Sequence, residues 1–156
     1  MLPLLQCQDS EGCALWAKNL ADQMAKRLPR AEQLHEEFLA RLNRKPASSR
    51  WITWVHANQR QVLRAVGALE LDTVITCGYP IEAIFWNEGG RIVLRGDTEA
   101  GRPLIVVCEF VCPNPAKMWV WGVVTSYDPR TESWRWSPDF EQRVCRCHPH
   151  VDSLRF

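Results

Sequence analysis

The strongest constraint on the fold lies after Cys77-Gly78-Tyr79-Pro80, where the chain changes from helical to strand-like texture. Four stretches, Ile81–Trp86, Arg91–Arg95, Leu104–Val111 and Met118–Tyr127, are rich in β-branched and aromatic residues. Turn-forming breaks separate them at Asn87–Gly90, Gly96–Gly101 and Pro113–Ala116. Such short breaks leave no room for crossover helices, so consecutive strands should pair antiparallel. Leu104–Val107 and Trp119–Val124 are nearly unbroken apolar runs, which predicts central strands covered on both faces. The expected architecture is α+β: N-terminal helices packed on a four-stranded antiparallel sheet, then an irregular tail that holds Trp134 and Trp136.

Upstream, Asp9 or Ser10 can cap a helix with Leu15, Trp16, Leu20, Met24 and Leu28 at helical spacing. Pro29 should end it and open a second helix carrying Leu34, Phe38 and Leu42 on one face. Lys45-Pro46-Ala-Ser-Ser reads as a stop and a linker. A third helix is expected from Thr53 to Leu69, with Gly67 weakening its last turn. The chain of 156 residues, 46% of them apolar, then divides into a helical extension over 1–46, an α+β domain over 51–143 and a Cys/His-bearing tail over 144–156.

The formal net charge of +1 announces no polyanionic partner, but its distribution is uneven. Phe38 to Leu69 holds no acidic residue, whereas Arg41, Arg44, Lys45, Arg50, Arg60 and Arg64 supply positive charge. If the run Trp54–Arg64 is helical, His56, Arg60 and Arg64 share one side of it. A group that shuttles protons near neutrality beside two fixed positive charges suits the cleavage or holding of a phosphodiester.

Three elements in order, His56-Ala-x-x-Arg60, Gly101-Arg102-Pro103-Leu104-Ile105-Val106-Val107 and Val124-Thr125-Ser126-Tyr127-Asp128-Pro129 followed by Trp134, carry a resemblance. Over roughly 51–143 the chain resembles a small prokaryotic domain family of the barnase, EndoU, colicin E5/D and RelE-like ribonuclease superfamily, many of whose members are toxins. That resemblance implies helices on a four-stranded antiparallel sheet and metal-independent RNA cleavage by attack of the 2′-hydroxyl. It carries His56, Arg60, Arg64, Thr125 and Tyr127 over as the catalytic set. His56 would be the acid or base, the two arginines would hold the phosphate, and Tyr127 would protonate or stack. Arg50 and Arg102 are secondary substrate-binding candidates. The implied partners are RNA and a cognate inhibitor protein.

The alternative is a non-catalytic module of the same fold that binds a small ligand or a protein partner. Seven cysteines are many for such a length. Without a basic, apolar leader or a membrane-spanning run, the expectation is a cytoplasmic protein with free thiols and no membrane. No cofactor is expected. Cys145, Cys147, His148 and His150 are the secondary candidates for a structural zinc, since their spacing matches no zinc-finger signature. Cys77 and Cys108 are expected as small core residues.

Overall fold

The computed structural model describes residues 6–53 and 66–147. Helix α1 spans Ser10–Leu42 and leads to strand β1 at Ser49–Thr53. Helix α2, Ala68–Cys77, precedes β2 (Tyr79–Trp86), β3 (Gly89–Asp97), β4 (Pro103–Val111) and β5 (Trp119–Tyr127). A 3-10 helix, Pro129–Arg135, follows. The α+β class and the meander of four antiparallel strands are as expected, with strand bounds within two residues of the sequence reading.

The sheet itself has five strands in the order β1-β5-β4-β3-β2 and is mixed, which corrects the four-stranded antiparallel expectation. Strand β1 pairs parallel with β5, placing Ser49 opposite Trp119 and Trp51 opposite Trp121. It was hidden because five residues at the end of a linker carry little local pattern. Tertiary anchors hold it: the Ser49 hydroxyl donates to the Phe38 carbonyl at 2.6 Å, and Trp51 Nε1 to Asp72 Oδ1 at 2.9 Å.

Pro29, expected to end the first helix and open a second, instead lies inside the continuous α1. An internal proline costs about 3 kcal/mol, so packing on both sides of it must compensate. Met24 Sδ accepts the Ala83 N–H at 3.3 Å, and Arg27 donates to the Ala83 carbonyl at 3.2 Å. On the following turn Arg30 lies 4.3 Å over the Phe85 ring. Both flanking turns are therefore fastened to β2.

The expected third helix is also misplaced at its end. Its reading over 54–65 lies outside the described residues, and Gly67 is the N-cap of a new helix rather than a weak last turn. The Glu70 carboxylate accepts the Gly67 N–H at 3.1 Å, and Leu71, Val74 and Ile75 bury one face. A Cβ at Gly78 would run into the carbonyl oxygens of Val74 and Arg95, so glycine lets this helix end against β3.

The core sits mainly between the helices and one sheet face. Ala31, Phe38, Leu71, Val74 and Ile75 meet Ile92, Leu94, Leu104, Val106 and Trp121 there. Trp121 is fully buried, stacked 4.3 Å from Phe38 and 5.3 Å from Phe110. On the other face Ile81, Val93, Ile105 and Val107 form a smaller cluster with Tyr127 and Trp136. Among the described residues no helix is long and apolar enough to cross a membrane.

Candidate functional site

Thr125 and Tyr127 pair with Val107 and Ile105, so both point to the sheet face away from the helices. Both are buried. Burial pushes the Tyr127 hydroxyl far above its ordinary pKa, with Glu132 and Glu82 adding to the rise and Arg143 and Arg135 opposing it. Arg102 donates from Nε to Asp128 Oδ2 at 3.3 Å and from Nη1 to Glu70 Oε2 at 3.4 Å. Arg50 is exposed on β1. His56, Arg60 and Arg64 lie outside the described residues. Of the basic stretch, Arg41 is buried, donating to the Lys117 carbonyl at 2.7 Å and to Ser48 Oγ at 3.2 Å.

Around Tyr127 the structure gathers charges that the sequence reading did not single out. A bulge at Pro80/Glu82 turns Ile81 and Glu82 to the far face, opposite Val93. Glu82 is 2% exposed; its Oε1 accepts from Arg143 Nε at 2.6 Å, and its Oε2 has no partner among the described residues. Burial raises its pKa against the pull of Arg143. Arg135 is buried too, 3.6 Å from Glu132 and 4.8 Å over the Trp134 ring. The signal for Glu82 was present in the sequence, as the one acidic residue within the apolar strand Tyr79–Trp86.

Beside this pair a cavity of about 290 Å³ opens between α1 and the edge strand β2. Leu20, Met24 and Leu28 form its apolar wall, and Tyr79, Glu82 and Arg143 its polar side. The Tyr79 hydroxyl donates to Glu141 Oε1 at 2.5 Å, tying strand to tail beside it. An apolar wall with a few convergent polar groups, one of them a perturbed carboxylate, is the usual make-up of a ligand site.

Four sulfurs form a second convergence. Cys7, Cys13, Cys145 and Cys147 place their Sγ atoms within 4.8 Å of one another. The tail cysteines named from the sequence are here; His148 and His150 lie outside the described residues. Cys7 and Cys13 were missed because they lie some 130 residues from their partners, a distance that no local motif spans. The Gln8 backbone N–H and the Cys13 side chain lower the pKa of Cys147 to about 7, whereas burial raises that of Cys13. Cys108 is buried in the core as expected. Cys77 is exposed, a correction: it sits on the last turn of α2, whose buried face is formed by Leu71, Val74 and Ile75.

Comparison of the chain with family models, with curated proteins and with solved structures finds no match.

Proposed function

We propose that the chain is a binding module that takes a small amphipathic molecule into the cavity between α1 and β2. One observation carries this reading: the unpartnered Oε2 of a buried carboxylate, Glu82, belongs to a residue on the polar side of a cavity whose other wall is apolar. A buried acceptor without a partner costs about 1–3 kcal/mol, which a ligand donor would recover once the Glu82 side chain turns that oxygen, sealed from solvent in this structure, toward the cavity. The ligand would have an apolar body against Leu20, Met24 and Leu28 and a hydroxyl, amide or ammonium head toward Glu82. The burial of Thr125 and Tyr127 and the pairing of Arg102 with two carboxylates also favour binding over catalysis at those positions.

The test uses phenethylamine, 2-phenylethanol and phenylacetate as probes, followed by NMR shifts and thermal denaturation. The two donor-headed probes should bind and phenylacetate should not, and Leu20→Trp, which fills the cavity, should abolish binding. Failure of both donor-headed probes, or equal binding of all three, would sink the reading.

A second reading is favoured by the charges around Tyr127 and by the ordered motifs of the sequence: a metal-independent endoribonuclease of toxin type acting on RNA. Here a carboxylate of raised pKa and two arginines lie on the sheet face not covered by α1 and α2. Total RNA incubated with the full chain and EDTA decides it. Cleavage lost in both His56→Ala and Arg60→Ala would establish the nuclease, and an inhibitor protein would then be sought over the basic stretch.

A further inference from the structure

We propose that Cys7, Cys13, Cys145 and Cys147 form a structural zinc site of four thiolates, clasping the tail to the start of α1. The proposal is independent of what the cavity binds. Cys13 Sγ lies 3.5 Å from Cys147 Sγ and 3.7 Å from Cys145 Sγ. A disulfide needs about 2.05 Å, and a single sulfur cannot bond to two others in that way. Four Zn–S bonds of about 2.3 Å in tetrahedral directions put sulfurs about 3.8 Å apart, close to the spacing seen. Four ligands complete the coordination shell and leave no open position for a substrate, so the site is structural rather than catalytic.

The surroundings suit thiolates. The Cys147 N–H points at Cys145 Sγ at 3.4 Å. Such an amide donor helps offset the negative charge that four thiolates place on one dication. Cys13 and Cys145 are buried while Cys7 is exposed, so the ion would sit at the surface end of α1 with its inner half shielded. Metal uptake breaks the S–H bonds of whichever thiols are still protonated, forms four Zn–S bonds and passes those protons to solvent; no electrons are transferred.

The position gives the clasp a purpose. The helix-first-turn ligand Cys13 and the cavity-lining Ala17 and Leu20 belong to successive turns of α1. Cys145 follows closely on Glu141 and Arg143, which form the opposite side of that cavity. Fixing residue 145 to residue 13 therefore holds the tail over the β2 edge and keeps Arg143 on Glu82.

The experiment uses the full chain without a histidine tag, prepared with reductant, with zinc measured by mass spectrometry. One zinc per chain is expected, and replacement by Co(II) should give sulfur-to-cobalt charge transfer with the visible bands of a tetrahedral ion. Cys13→Ser and Cys147→Ser should bring zinc below about a tenth per chain, whereas Cys77→Ser and Cys112→Ser should leave it unchanged. Where the buried variant fails to fold, exposed Cys7→Ser serves: the fold should persist and the cobalt charge-transfer intensity should fall. Folded wild-type chain without zinc, disulfides among these four cysteines, or full zinc retention in Cys147→Ser would each overturn the proposal.

Discussion

The two faces of the sheet are covered by different means. The helix face is closed by α1 and α2 with apolar and aromatic side chains, Phe38 and Phe110 flanking Trp121. The far face is closed by a 3-10 helix and a tail folded on itself at the Trp136–Arg143 bridge and fastened to β2 through Tyr79–Glu141 and Glu82–Arg143, and it carries Glu82, Glu132, Arg135 and Arg143 near its apolar patch. Regular helices satisfy their own backbone and can present a wide apolar stripe; an irregular segment cannot, and it is held instead by directed polar bonds. The first face is thus built mainly on apolar packing, while the second brings together buried charged groups, Glu82 with its unpartnered Oε2 among them. The largest expected effect follows: Trp121→Ala should cost about 3–5 kcal/mol in urea denaturation. Trp136→Ala should cost clearly less, since its cluster is small and borders the surface. Equal losses would break the distinction.

The next effect concerns the buried pair on the far face. Arg143→Met leaves the Glu82 carboxylate uncompensated in a site 2% exposed, and should destabilise by about 3 kcal/mol. The double variant Glu82→Met with Arg143→Met removes both charges and should recover most of that loss. Denaturation midpoints of the three variants check it. Recovery would show that the pair is kept for its cavity and not for folding; a double variant as unstable as the single would make it a structural strut.

How much of this was legible in the sequence follows from where each signal resides. The meander was readable because β-branched runs and turn residues act locally, and Leu104–Val107 and Trp119–Val124 announced buried central strands by composition. Strand β1 and the continuity of α1 through Pro29 were not, since both depend on contacts with β5 and β2 made only after folding. Gly67 was ambiguous by nature: the same residue weakens a helix from inside and begins one from outside, and Glu70 at the third position was the cue that decided it. For the candidate sites the limit was sharper. Glu82 stood out as an acid in an apolar strand, but its partner Arg143 is 61 residues on, and the thiol cluster joins the two ends of the described chain.

The smallest effect contrasts the faces through pH. On the helix face, His35 is buried beside Trp121, and Nε2 lies 2.7 Å from the Ile75 carbonyl, so the neutral ring donates there. Burial lowers its pKa from the ordinary 6.5, against a weaker pull from that carbonyl. The folded state then resists protonation that the unfolded chain accepts, so the stability due to this residue is complete above pH 6.5 and declines as pH falls below it. On the far face Glu82 has the opposite slope: its raised pKa means that the fold loses stability as pH rises from the ordinary 4.5 through the folded value. Stability of His35→Gln, followed from pH 7 to pH 5, should therefore fall less steeply than that of the wild type. Glu82→Gln should keep the His35 decline and lose the opposing contribution, giving the steeper acid limb of the two. Parallel curves for both variants would mean that neither buried group governs the pH response, and that the exposed carboxylates do.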